Sequence, residues 1–408
     1  MKHLIFFLLF SLFLAGCSSG IFQELPKGGQ LPSPSSSPPS SAPQPDGGSL
    51  PLSEGLPRIL DIAAVSGIPC LATEEGPICL FGEADFVLGE SSEVTFCGRV
   101  SKSPDRCAGS NVSCSLPEPR NCFGVESIEA VDPAGEIYAI VEKEYPPERR
   151  VIVSQDERQW QVLPESDAVP LALRSKGDRL YLLNEKRISS RRDGKWERSF
   201  TLSQEFQEIL SSEKMPGEKF LLEVYEDDEA VFFFVGTPKG LYQNFYHLPT
   251  GASSFWSLVG PPITAMTIDS QEPALYFSFV SGDRFGPYGE AGIVKMDIQF
   301  LDWNIFAPLP EIYDLDFAEE ELLAVGWDPA SVFKDSMIYK IDRSGVFSHL
   351  YSQFQTLGLP PLSDSEFDHV GAIGYERGHF YAALTARGCL FEADGVPSPE
   401  LAGRCFGE

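Results

Sequence analysis

The sequence is short of the residues from which linear catalytic and metal motifs are built. Its five histidines are scattered over 408 residues, at positions 3, 247, 349, 369 and 379. There is no H-E-x-x-H, no C-x-x-C and no pair of histidines at ligand spacing, so a zinc hydrolase site has no linear support. A nucleophile elbow G-x-S-x-G, a P-loop and a G-x-G-x-x-G turn are all missing, which removes the usual signatures of hydrolases and nucleotide binders. Calcium loops of the D-x-[DN]-x-[DN]-G type are absent too. No metal site and no cofactor are therefore expected. Positive charge is also scarce: 31 basic against 59 acidic side chains give a net charge of −28. Such a chain repels polyanions, which excludes non-specific nucleic-acid binding and a basic membrane-surface patch. Beyond the N-terminus no run approaches the roughly 18 apolar residues of a membrane-spanning helix.

The first 16 residues are an exception to that polarity. Lys2 precedes an apolar run from Leu4 to Leu14, then Leu14-Ala15-Gly16-Cys17. The run is too short to span a bilayer and has the layout of an export signal. The four residues resemble the lipobox of bacterial lipoproteins. That resemblance implies cleavage before Cys17, lipid attachment to Cys17 and membrane association through the acyl chains, since two or more chains anchor stably. Ser18 and Ser19 follow where an Asp would imply inner-membrane retention, so the resemblance points to the outer membrane of a Gram-negative envelope. Residues 17–57 are dominated by Pro, Ser and Gly. They cannot bury enough apolar surface to offset chain entropy, and at ~3 Å per residue they form a tether reaching at most roughly 100 Å.

Residues 58–408 carry no comparable break. Short runs rich in β-branched and aromatic residues alternate with Gly, Pro, Asp and Ser, and long helical periodicity is scarce. Trp160, Trp196, Trp256 and Trp303 share a local setting, often with a preceding turn, as in Asp193-Gly194 and Thr250-Gly251. Phe347 occupies the matching place after Asp342-Arg343-Ser344-Gly345. Apolar runs precede each: Glu136–Val141, Arg179–Leu183, Ala230–Val235, Ala274–Val280 and Leu322–Trp327, with His379–Leu384 as a further one. Each unit reads as four short strands ending in an aromatic-bearing strand. Seven units are expected, at 58–90, 125–163, 168–202, 218–258, 262–308, 311–352 and 367–408. The fold class is thus all-β, a β-propeller of about seven four-stranded blades. Two β-sandwich domains are the alternative, but they do not explain the recurring aromatic. Ser154-Gln155-Asp156-Glu157-Arg158-Gln159-Trp160 resembles in part the Asp-box turn of sialidase-like propellers. Arg158 stands in place of the glycine, and Trp160 comes one residue early.

With Cys17 assigned to lipid, eight cysteines remain: Cys70, Cys79, Cys97, Cys107, Cys114, Cys122, Cys389 and Cys405. An even number suits disulfides in an oxidising compartment. Cys70 and Cys79 flank a hairpin, Cys97 to Cys122 crowd one loop, and Cys389 and Cys405 belong on neighbouring strands of the last blade.

Carboxylate clusters at Glu226–Glu229 and Glu319–Glu321 are expected as solvated turn tips, as are Glu142, Glu144 and Glu148. No catalytic residue is selected. The long insertions, at 97–122, 143–149, 203–217, 281–292, 328–335 and 353–368, would all fall on one propeller face. There Arg284, Phe285, Tyr288, Phe333 and Lys334 are candidate contact residues, because loops on a rigid scaffold usually carry binding. The leading expectation is an envelope-anchored binding or scaffold module with a protein partner or a neutral or cationic ligand. A glycan-active hydrolase or lyase, with carboxylates in the central funnel, is the second. A structural lipoprotein without ligand is the third.

Overall fold

The computed structural model describes residues 59–99 apart from 66–67 and 82–84, 121–164 apart from 132–134 and 145, 169–213, and 219–279 apart from 270. It further describes 292–309, 312–327, 336–352, 370–384 apart from 377, 389–395 and 402–405. The signal, Cys17, the tether, Cys107, Cys114, Arg284, Phe285, Tyr288, Phe333 and Lys334 lie outside the described residues.

The chain folds as a seven-bladed β-propeller. Each blade is an antiparallel sheet of four consecutive strands. The blades span Ile59–Leu88, Gly124–Val162, Pro170–Thr201, Leu221–Val259, Ile263–Ala307, Ile312–Ser352 and Val370–Cys405. The first strand of each blade is innermost, and these seven strands touch one another in sequence around the ring, the last against the first. The β-sandwich alternative is thereby set aside. Among the described residues the first blade contributes no strand to the seventh, and the two blades meet by packing. Ile62 and Leu71 of blade 1 share an apolar cluster with Ala372, Tyr381 and Ala383 of blade 7.

Second strands are the apolar centre of every blade because both their faces are covered. Ala230–Thr237 is buried along its whole length, and Ala274–Phe279 likewise. The outer strands alternate instead, as in Lys195–Thr201 and Ser253–Val259, with one side turned to water. Trp196, Trp256, Trp303 and Phe347 lie on these outer strands. Trp160 sits just before the outer strand of blade 2 and is fully buried.

Six of the seven inner strands share one irregularity that the sequence does not advertise. Their register shifts by one residue near the start, at Ile59/Asp61, Val125/Ser127, Pro170/Ala172, Ile263/Ala265, Ile312/Asp314 and Val370/Ala372. Such a bulge bends the strand and re-aims the side chains after it.

Tight turns follow side-chain chemistry. Thr73, Asn184 and Thr237 each end a second strand and bond to the turn that follows. The partial Asp-box forms a closed turn: Asp156 Oδ1 accepts the N–H groups of Arg158 and Gln159 at 3.1 and 2.7 Å. Ser154 Oγ donates to the Gln159 carbonyl at 2.7 Å. The left-handed residue there is Glu157, with φ of 57°.

Two of the expected insertions carry local structure of their own. The hairpin at 143–149 is short: Lys143 pairs with Glu148 across it, and their side chains form an ion pair at 3.0 Å. The insertion between blades 3 and 4 holds a helix, α1 (Gln204–Glu213). Ser203 caps it, its Oγ accepting the Phe206 N–H at 3.2 Å. Phe206 and Leu210, one turn apart, enter the core between blades 3 and 4.

The cysteine pairing agrees with the local reading where it is described. Cys70 and Cys79 face each other in a hairpin and are disulfide-bonded, as are Cys97 and Cys122. Cys389 and Cys405 oppose one another on adjacent strands of blade 7.

Candidate functional site: the central channel

The inner strands enclose a polar cavity of about 350 Å³ on the propeller axis. The exposed edge of each inner strand would leave backbone N–H groups without strand partners, and such groups are costly when enclosed. Carboxylates from the preceding blade meet several of them. Asp61 Oδ2 accepts the N–H of Ile128 in blade 2 at 3.1 Å, while its Oδ1 accepts that of Ile62 at 3.0 Å. Asp314, at the same place after its own bulge, repeats this arrangement. Its Oδ2 accepts the Ile373 N–H at 2.8 Å and its Oδ1 the Leu315 N–H at 2.9 Å.

A second tier lies deeper. Asp316 accepts the N–H of Tyr375 at 2.6 Å and of Phe317 at 2.8 Å. Glu129 Oε2 accepts the Ser175 hydroxyl at 2.7 Å and its N–H at 3.2 Å. Arg174 spans the next seam, 2.9 Å from Glu223 and 3.4 Å from Glu129. Glu126, on the inner strand of blade 2, pairs with Arg149 of the same blade.

Lys219 projects from the connection that follows α1 and lines the same cavity. Its side chain is open to the channel lumen. Protein nevertheless surrounds the channel, so the ring charges act on Lys219 with less screening than on an outer surface.

Electrostatics follow from enclosure and crowding. Burial pushes Glu223 up to about 7, against the pull of Arg174 and Lys176. Asp314 is raised to about 7 by burial, opposed by Lys219 and reinforced by Asp61. Glu126 is raised to about 7 by burial, opposed by Arg149. Glu129 and Asp316 move the same way for the same first cause. Burial disfavours charge on Arg174 and Lys219, but the surrounding carboxylates outweigh it and hold both pKa values above the ordinary ones. Lys176 moves down, with burial as the dominant cause.

None of these channel residues is singled out by sequence spacing. Glu226, expected as a solvated tip, instead joins two blades. It is 3.1 Å from Arg179 and 2.8 Å from Arg198, and it accepts the Tyr181 hydroxyl at 2.5 Å. Asp227 caps the adjacent turn through the N–H groups of Glu229 and Ala230. Tyr181 belongs to a pattern that could have been found. The third residue of the second strand is aromatic in Tyr138, Tyr181, Phe232, Tyr276 and Tyr381. Among the described residues no group of three His, Cys, Asp or Glu side chains is arranged to hold a metal ion. No described helix is long and apolar enough to cross a membrane.

No family model matches this chain, and no curated protein matches it. Solved propellers do. A GH74 enzyme from Niastella koreensis aligns over 87% of this chain and 55% of its own, with a TM-score of 0.53 and 11% identity. A catalytically inactive virginiamycin B lyase from Staphylococcus aureus, solved with quinupristin, aligns over 81% of this chain and 92% of its own. Its TM-score is 0.49 at 11% identity. The likeness to the GH74 enzyme supports the propeller architecture and nothing finer.

Proposed function

We propose that this chain is a lipid-anchored propeller of a bacterial envelope that works as a binding module through its long-loop face. One observation carries the preference for binding over channel chemistry. Asp61, Glu129, Glu223, Asp314 and Asp316 each hold a backbone N–H, a hydroxyl or a guanidinium of a neighbouring blade, and Glu126 holds the Arg149 guanidinium within its own. A general acid or base needs a lone pair within reach of substrate, and these are engaged in joining strands and blades. The lipobox resemblance of Leu14-Ala15-Gly16-Cys17 and the Pro/Ser-rich tether support placing the propeller at a membrane, with some freedom to reach a partner. The test is in-cell cross-linking from positions in 281–291, followed by mass spectrometry. One or two stoichiometric envelope proteins, lost when that loop is deleted, are the expected result. Equal cross-linking from the opposite face would overturn the reading.

A second reading, a glycan-active hydrolase or lyase, draws on a specific observation: Glu223 and Asp314 have pKa values near 7 inside a solvent-accessible funnel, the range that suits general acid–base work. Turnover of an envelope glycan that disappears in Glu223→Gln and Asp314→Asn, both still folded, would establish it. No turnover by the wild-type protein across a glycan panel would remove it.

A further inference from the structure

The outermost strand of a sheet offers unpaired N–H and C=O groups to any chain that meets it. Proteins guard such edges with charge, with bulges or by keeping the strand short. Six of the seven blades here carry such a guard. The outer strands of blades 1, 2 and 7 span only Asp85–Leu88, Gln161–Val162 and Ala402–Cys405. That of blade 3 carries Lys195, Glu197 and Arg198, and its pairing is interrupted by a bulge at Ser190/Arg191. The outer pairs of blades 5 and 6 are bulged at Ile293/Val294 and Ile338/Tyr339.

Blade 4 has none of these devices. Its outer strand, Ser253–Val259, runs for seven residues in unbroken register against the strand inside it. Among the described residues no strand takes its free edge. Ser254 and Ser257 are exposed, and Val259 is 73% exposed. The strand lies within 240–268, the longest stretch of the sequence without Asp, Glu, Lys or Arg, in a chain of which 22% is charged. Beyond Val259 a small cleft lined by Pro261, Ile263 and Phe277 adds no charge either.

The strand's own sequence shows what fits this edge. Two copies related by a two-fold axis pair antiparallel, and residues directly opposite share a face. Full overlap of Ser253–Val259 with a second copy of itself centres on Trp256. In that register Val259 stands opposite Ser253 of the second copy, Leu258 opposite its Ser254, and Phe255 opposite its Ser257. Every bulky side chain except the central Trp256 thus meets a serine, and no charge meets a charge. Net charge points to the same place. At −28, two copies repel one another, and a charge-free edge is where they approach at least cost.

We propose that the outer strand of blade 4 pairs with the same strand of a second copy, giving one continuous sheet across two propellers. This inference does not rest on the long-loop reading. An edge contact of this length falls below the roughly 1,200 Å² of a standard interface, so the association is weak. The test is sedimentation velocity of the intact chain from about 1 to 200 µM, the range that resolves micromolar dissociation constants. A monomer–dimer equilibrium is expected. Raising salt from about 20 to 300 mM should tighten it several-fold by screening the repulsion between copies. Ser254→Glu and Ser257→Glu, each adding a charge to both copies at the seam, should weaken it at least about tenfold. Ser92→Glu, an equal charge on exposed blade 1, should not. All three positions are exposed, and thermal melting checks their folding. Backbone hydrogen exchange at 253–259 should slow as the dimer forms, while that at 195–201 should not. A monomer at every concentration, a dimer indifferent to both seam variants, or protection of 253–259 already in the monomer would each overturn the proposal.

Discussion

Asp314 and Ile373 stand on the inner strands of neighbouring blades, and the carboxylate of one accepts the backbone N–H of the other at 2.8 Å. Removing that acceptor leaves an enclosed donor without a partner. Asp314→Ala should therefore cost about 1–3 kcal/mol, read as a lower urea midpoint with unchanged slope. Asp314→Asn keeps an acceptor oxygen and should cost less.

The same residue gives the protein a pH dependence of definite sign. Burial raises the pKa of Asp314, Glu223 and Glu126 to about 7 in the fold, so between about pH 4.5 and 7 the folded chain binds more protons than the unfolded one. Their contribution is fully present below the unfolded values near 4 and is lost as pH rises through 7. Urea unfolding should show stability falling across that window, and Asp314→Asn should flatten the fall. A stability rising from pH 5 to 8 would contradict this.

Cys97 and Cys122 close a loop of 25 residues in sequence separation. Chain-entropy arguments give such a link about 3 kcal/mol. The Cys97→Ala, Cys122→Ala double variant should melt at a markedly lower temperature. Loss of the Cys70–Cys79 link, which spans 9 residues within a hairpin, should cost less. Melting curves with and without reductant compare the two.

Gly89 is fixed by Trp160. A Cβ at Gly89 would lie 2.4 Å from Trp160 Nε1 and 2.8 Å from Pro77 Cγ. Gly89→Ala should destabilise by about 1–3 kcal/mol through overpacking. It should also change tryptophan fluorescence, because blades 1 and 2 meet at this ring.

Glu226 joins blades 3 and 4 through Arg179, Arg198 and Tyr181. Arg198 is partly exposed, which limits the worth of its pair. Glu226→Ala should cost about 1–2 kcal/mol, while Asp228→Ala on the exposed tip beside it should be neutral within error. Urea titration of both variants separates them.

Blade boundaries were legible because each blade repeats an apolar second strand and an aromatic fourth. Trp196, Trp256 and Trp303 recur for a packing reason that survives sequence drift, and the hairpin between Cys70 and Cys79 declares itself by spacing. The channel was not legible. Asp61 and Asp314 play identical parts, yet only a bulge in the strand pairing places them so, and a one-residue shift leaves no mark in composition. Glu226 looked like any acidic turn because its partners, Arg179 and Arg198, belong to the blade before. Helix α1 hid behind a short amphipathic segment, although Ser203 offered a cap. The role of a charge here depends on which blade lies beside it, and linear patterns do not carry that information.

Each sheet is complete within its own stretch of chain, so the ring is assembled from self-contained wedges, with no interlocking strand among the described residues. Cutting the chain at any blade-to-blade connection and joining residues 59 and 405 by a linker would leave all seven sheets intact. The order of blades in the sequence is thus independent of the strand pairing within any one of them. The propeller is in this sense indifferent to where its reading frame begins.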